Sequence, residues 1–286
     1  MGAGEVNDEV LRVTFHGVRG STPCDRPGVA RYGGNTSCVV VDAPGEPDLL
    51  FDIGTGARSR GLMIDAEHRA FRGACLVSHL HWDHIQGLPF FSPLRHPDTE
   101  LTLYAPHQGD GPDPAAVLAA SIRPPLFPIG LDQFDARVRV VAAPPVLQLG
   151  GFRVQSAPVP HCGPTNGYRV EWRGRSVAYV SDHQQPGNPL TVADSVAELC
   201  RGVDLLIHDA QYTPIEYRQK QDWGHCTVEY AVWLAAHVGA RRLALYHHDP
   251  DRDDDQLDRL AAMATACGSS MGVEVFAATE GQTVTF

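Results

Sequence analysis

Short apolar runs that stop at a polar, metal-capable or turn-forming residue recur along the chain. Leu49-Leu50-Phe51 ends at Asp52, ahead of Gly54 and Gly56, and Ala74-Cys75-Leu76-Val77 runs into Ser78-His79. The extended stretch from Phe152 to Pro160 ends at His161, and Ser176-Val177-Ala178-Tyr179-Val180-Ser181 ends at Asp182. Val203-Asp204-Leu205-Leu206-Ile207 delivers His208 and Asp209, while Arg242-Leu243-Ala244-Leu245-Tyr246 delivers His247. Their lengths and apolar composition predict strands, and their common ending is what a sheet sandwich shows when one rim carries a site. The period changes after Gly224-His225-Cys226-Thr227. Val228 to Ala236 reads as a helix, with Cys226 or Thr227 as its N-cap. The stretch from Ala105 to Pro145 has no such pattern and is expected to be an irregular insertion near the site, stiffened by prolines around Leu126 and Phe127. It is a candidate cover for the site or a homodimer contact.

The densest chemistry lies in Ser78-His79-Leu80-His81-Trp82-Asp83-His84. Side chains alternate along an extended backbone, so His79 and His81 point the same way at the strand's end. Asp83 and His84, in the turn that follows, face a second point close by. A lone histidine is usually structural, but imidazoles and a carboxylate in an HxHxDH pattern form a ligand cluster suited to two metal ions. One motif cannot close two sites, and the strand ends at His161, Asp182 and His247 offer further donors. His16, His68, His96, His107 and His237 show no partner pattern.

On these residues the chain resembles the metallo-β-lactamase-fold hydrolase superfamily from about Val13 to Phe286. The resemblance is greatest to its phosphodiesterase branch, which includes ribonuclease Z and cyclic-nucleotide and cyclic-phosphate phosphodiesterases. The stretches that carry this are Gly17-Val18-Arg19-Gly20-Ser21-Thr22-Pro23, Tyr32-Gly33-Gly34-Asn35-Thr36-Ser37-Cys38, His208-Asp209-Ala210-Gln211-Tyr212, Gly224-His225-Cys226-Thr227 and Leu245-Tyr246-His247-His248. The resemblance implies an α/β fold, an αββα sandwich of two mixed sheets flanked by helices, as a single domain over 1–286 with a flexible tail at 1–10. It implies that His79, His81 and His161 hold one divalent ion and that Asp83, His84 and His247 hold the other, with Asp182 as the bridge. His247 is preferred to His248 because it directly follows the strand. His225, oriented by Asp209, is expected to contact the phosphate and protonate the leaving oxygen. The branch's ribonucleases have glutamate where this chain has Asp209. Asp52 is read as tying the turn beneath the metals, and His183 and His248 as flanking residues behind the ligands or at the substrate.

Two divalent ions opposed by Asp83 and Asp182 leave net positive charge at an open position. Water held there loses its proton at a pKa lowered from 15.7 to about 7, and two ions roughly 3.5–4 Å apart can grip a phosphoryl oxygen. Nitrogen and oxygen donors suit zinc first, with manganese or iron as alternatives. The expected activity is hydrolysis of a small or cyclic phosphodiester, cyclic nucleotides foremost. Rival readings are hydrolysis of a lactone, thioester or β-lactam on the same metals, and a metal-bearing carrier without turnover.

Charge and composition narrow the partners. A formal charge of −11 with almost no lysine argues against folded RNA. The interval from His161 to Asp182 leaves no room for the tRNA-gripping arm that the resemblance would place there. Met1 to Val10 has no basic start or apolar core and so does not read as a signal peptide. No apolar run reaches the ~18 residues of a membrane span. Seven scattered cysteines without CxxC spacing fit reduced thiols in the cytoplasm.

Overall fold

The computed structural model describes residues 10–286, so nearly all of the segment expected to be a tail, residues 1–9, lies outside the described residues. The strands are β1 (Arg12–Gly17), β2 (Cys38–Asp42), β3 (Asp48–Phe51), β4 (Arg72–Leu76), β5 (Glu100–Ala105), β6 (Arg137–Ala142), β7 (Val146–Leu149), β8 (Phe152–Pro158), β9 (Asn166–Trp172), β10 (Arg175–Val180), β11 (Leu205–Asp209), β12 (Arg242–Tyr246), β13 (Glu274–Ala277) and β14 (Thr283–Thr285). They form two sheets, ordered β14-β1-β2-β3-β4-β5-β6 and β13-β12-β11-β10-β9-β8-β7. Each sheet is mixed. From β14 to β3 and from β7 to β10 neighbours are antiparallel, whereas β3 to β6 and β10 to β13 run parallel.

The sheets pack through their alternating inward faces. Val13, Phe15, Val39, Leu49, Phe51 and Leu76 of the first meet Val154, Val170, Tyr179, Leu205, Ile207 and Tyr246 of the second, all buried. Fully burying such a side chain stabilises the fold by about 1.5–3 kcal/mol. Phe51 and Tyr179 stack across the layer with centroids 4.7 Å apart, which contributes roughly 0.5–1.5 kcal/mol beyond area. Helices Asp194–Cys200, Val228–His237 and Asp254–Ser270 cover the outer face of the second sheet, and Ala57–Ala66 and Pro114–Ser121 cover the first. The expected α/β sandwich of two mixed sheets flanked by helices is the fold observed.

This topology gathers the polar strand ends. β3, β4, β8, β10, β11 and β12 terminate at one rim, where Asp52, His79, His161, Asp182, Asp209 and His247 follow or close them. Thr227 rather than Cys226 caps the helix after His225, its Oγ accepting from the Tyr230 N–H at 3.1 Å. The interval between His161 and Asp182 is a hairpin, β9–β10, turned by Arg173 at φ 45° and Gly174 at φ 78°. Positive φ at both turn residues matches the twist of the flanking strands.

One expectation changes. The 105–145 segment is not irregular throughout: it holds the helix Pro114–Ser121 and the edge strand β6, which pairs with β5 over its whole length. The alternation in Arg137-Val138-Arg139-Val140 was the available signal, hidden by the neighbouring prolines.

A histidine without a sequence pattern also matters for stability. His16 is buried beside Ser59, and burial, helped by the Arg60 guanidinium, lowers its pKa to about 4. The unfolded chain takes up this proton below about pH 6.5. The folded-state pKa is depressed, so between pH 6.5 and 4 the unfolded state binds more protons and stability falls with pH. In urea melts of metal-free protein, His16→Gln is expected to lose about 2 kcal/mol less than wild type between pH 7 and pH 4.5. Identical losses in the two proteins would contradict this.

Candidate metal centre

The rim is built on the buried carboxylate of Asp52. Its residue adopts φ 54°, an uncommon conformation for a side chain other than glycine, and turns the carboxylate inward. Oδ1 accepts from the Ser78 N–H at 2.6 Å, while Oδ2 accepts from Ser78 Oγ at 2.8 Å and the Tyr179 hydroxyl at 2.7 Å. The same Oδ2 lies 2.7 Å from His84 Nδ1, which leaves Nε2 of that ring facing the centre. Two other rings are fixed in this way. His161 Nδ1 meets the Gly224 carbonyl at 2.7 Å, and His247 Nδ1 meets Gln211 Oε1 at 2.8 Å. An outer partner on one ring nitrogen sets the tautomer and aim of a ligating histidine.

Close packing holds these rings in place. His247 itself sits at φ 56°, and a Cβ on Gly20 would lie 2.3 Å from its Nδ1. A Cβ on Gly224 would lie 2.4 Å from His161 Nδ1. Only glycine lets the backbone pass so near the imidazoles.

All seven candidate ligands come together. His79, His81 and His161 form one group, with ring centroids 4.3–5.1 Å apart. Asp83 Oδ2 lies 3.2 Å from His84 Nε2 and 3.1 Å from His247 Nε2, and accepts from the Ser21 N–H at 2.7 Å. Asp182 stands between the groups: Oδ1 is 3.8 Å from Nε2 of both His79 and His161 and 3.4 Å from that of His247, and Oδ2 is 3.2 Å from His84 Nε2. His79 Nε2, His84 Nε2 and Asp182 Oδ2 are buried without a hydrogen-bond partner. Each such atom costs about 1–3 kcal/mol if nothing meets it. Orphaned donors of this chemistry, converging on one place, fit divalent cations.

The electrostatics agree with that fit. Burial, then the neighbouring His84, holds His79 well below the ordinary histidine range, and burial also lowers His81 and His161. Burial likewise acts against a proton on His84 and His247, but nearby carboxylates outweigh it: Asp83, Asp182 and Asp52 around His84, and Asp182 with Asp83 around His247. Burial would raise the carboxyl of Asp182, yet His247, His84 and His79 hold it well below the usual range, and Asp83 is lowered by His84 and His247. Ionised carboxylates suit a cation directly, whereas the protons that Asp83 and Asp182 favour on His84 and His247 would have to leave as a cation binds.

His225 stands beside this cluster, its Nδ1 2.8 Å from Asp209 Oδ2 and its ring stacked on His247 at 4.9 Å. It also lies 3.8 Å from Asp182 Oδ1, so His225, Asp182 and His247 form a further group that could hold an ion. Asp209 is fixed by the N–H groups of His183 and Gln211. The two flanking histidines turn elsewhere. His183 Nδ1 meets His208 Nε2 at 3.0 Å, and His248 Nε2 meets the Ala278 carbonyl at 2.9 Å. Gln211, Gly20, Gly224 and Tyr179 were not singled out from sequence. Gln211, Gly20 and Gly224 do fall in stretches that carry the family resemblance, but nothing local marks them as supports for the ligands.

Comparison with known proteins places this geometry in a family. A family model described as a beta-lactamase superfamily domain matches residues 49–248. Ribonuclease Z of Synechococcus sp. (strain CC9311) is 27% identical over 290 residues, covering 84% of this chain and 88% of that protein. Among solved structures, the metallo-beta-lactamase fold protein YhfI from Bacillus subtilis superposes with a TM-score of 0.73 at 20% identity, covering 97% of this chain and 100% of that one. A diphosphatase from the PhnP family follows with a TM-score of 0.70 at 21% identity, covering 97% of each chain. The ribonuclease name does not support the sequence-based exclusion of folded RNA. With this fold, this rim and a family match over most of its length, the chain belongs to the metallo-β-lactamase superfamily, in its ribonuclease Z-like branch.

Proposed function

We propose that the chain, a metal-dependent hydrolase, is a phosphodiesterase for small phosphodiesters, with cyclic nucleotides first among them. The supporting observation is the His225–Asp209 pair beside the donor cluster. When bound, two divalent ions, zinc foremost, would supply Lewis acidity and an activated water. His79, His81 and His161 would hold one and Asp83, His84 and His247 the other, with Asp182 shared. Asp209 takes His225 Nδ1 and leaves Nε2 to carry a proton to the ester's departing oxygen. That proton has an evident use when an alkoxide leaves phosphorus; opening a lactone or β-lactam calls for one too, so the substrates below are what separate these readings.

The names of the relatives favour a second reading, cleavage of RNA. Against it stand the formal charge of −11 and the tight β9–β10 turn in place of an arm. Among the described residues no helix is long and apolar enough to cross a membrane, and all seven cysteines are free, which fits a reducing cytoplasm. Zinc-loaded protein should be assayed on cyclic nucleotides, bis-p-nitrophenyl phosphate, a lactone, a thioester and a precursor tRNA transcript. Turnover of the small diesters that disappears in His81→Ala is expected. Preferred cleavage of the transcript would establish the RNA reading, and turnover confined to the lactone or thioester would overturn both.

A further inference from the structure

Lys220 is the only lysine in the chain. Its ammonium lies 3.4 Å from Asp249 Oδ2 and over two rings, 4.7 Å from the centroid of Tyr212 and 5.3 Å from that of Trp223. The lysine side chain is 29% exposed and the aspartate side chain 7%, so solvent screens this pair only in part. The two charges come from different parts of the rim. Lys220 lies in the segment between the short helix Pro214–Tyr217 and His225, whereas Asp249 stands two residues beyond His247. That segment backs the first group of donors. Its Gly224 carbonyl holds His161 Nδ1, its Asp222 carbonyl accepts from the Cys162 thiol at 3.4 Å, and its Gln221 carbonyl accepts from Gln184 Nε2 at 2.5 Å. The Trp223 N–H donates to the Lys220 carbonyl at 3.1 Å and closes the turn between them. Tyr212, beneath the ammonium, meets His225 edge to face with centroids 5.7 Å apart.

We propose that Lys220 is a positioning residue: its charge, paired with Asp249, clamps residues 218–224 so that Gly224 keeps His161 aimed at the centre. The inference rests on the reading of His161 as a metal ligand and extends it to the groups behind that ligand. No substrate has to reach Lys220. Without the ammonium, Asp249 becomes a nearly buried carboxylate that has lost its cation, a state that entering water relieves. Water arriving there takes the place of the Lys220 side chain and frees the turn. Upstream, Glu216 stays tied to Arg252 at 2.8 Å, so the slack falls between Tyr217 and Gly224. A ligating histidine whose outer partner is disturbed binds its metal about 10–100-fold more weakly.

The test joins two measurements: hydrogen exchange of metal-free protein, read on peptides spanning 217–225, and titration of zinc against a competing chelator. Lys220→Met keeps much of the stem's volume and loses the charge. In this variant exchange over 217–225 is expected to quicken about tenfold as the segment opens locally, and zinc affinity to fall about tenfold. Lys220→Arg keeps a cation that can meet the carboxylate and stack on the rings, so both readings should return to within about threefold of wild type. Asp249→Asn should reproduce Lys220→Met, and the double variant should be no worse than either single one, because the two side chains act as one contact. Wild-type exchange in Lys220→Met, an arginine variant as loose as the methionine one, or losses that add in the double variant would overturn the proposal. His161→Ala, titrated alongside, separates the two claims. If it binds zinc as tightly as wild type, the ligand reading of His161 fails, while the exchange data still judge the clamp.

Discussion

Asp182→Asn is expected to reduce phosphodiester turnover by roughly a thousandfold or more, the upper range for losing one preorganised electrostatic partner, and to leave fewer than two ions bound per chain. The substitution keeps the shape and removes the charge. Asp182 Oδ1 faces His79, His161 and His247 while Oδ2 faces His84, so its one carboxylate meets both halves of the cluster. Its carboxyl is held ionised by those histidines, and it is buried, so no solvent charge can replace it. Competition with a chelator, read alongside turnover, checks the result. An asparagine variant that retained both ions and full activity would show that Asp182 does not bridge.

His225→Ala is expected to act differently, sparing the metals and removing a proton. For diesters with alkyl leaving groups, the loss of a general acid should cost about 10²–10⁴ in kcat. A p-nitrophenolate departs without help, so with that leaving group the loss should fall below about tenfold. Asp209→Asn should show the same dependence on leaving group in weaker form, because the ring loses its orienting carboxylate but not its place. Equal losses for both leaving groups would remove the acid role. Loss of an ion from His225→Ala would instead assign the residue to the group it forms with Asp182 and His247.

The donors themselves were legible because each belongs to a local pattern. His79, His81, Asp83 and His84 share one motif, and His161, Asp182 and His247 each follow an apolar run. The choice of His247 over His248 rested on position after the strand. The structure places His247 beside Asp83 and turns His248 to the Ala278 carbonyl. What holds the donors could not be read. Tyr179 on Asp52 and Gly20 under His247 meet only when the two sheets close, and Gln211 reaches His247 only once β11 and β12 pair. No spacing along the chain encodes those contacts. The helix Asp254–Ser270 is a different case: its Asp253…Gln256 capping box is a sequence signal that the strand-end pattern overshadowed. His16 looked like background because its unusual state arises from burial beside Ser59, which composition does not reveal.

Anomalous diffraction from zinc-loaded crystals is the most direct test of the central claim. Two peaks roughly 3.5–4 Å apart are expected, one among His79, His81 and His161, the other among Asp83, His84 and His247, with Asp182 touching both. A single peak, or a second peak held by His225 in place of Asp83 and His84, would contradict the account.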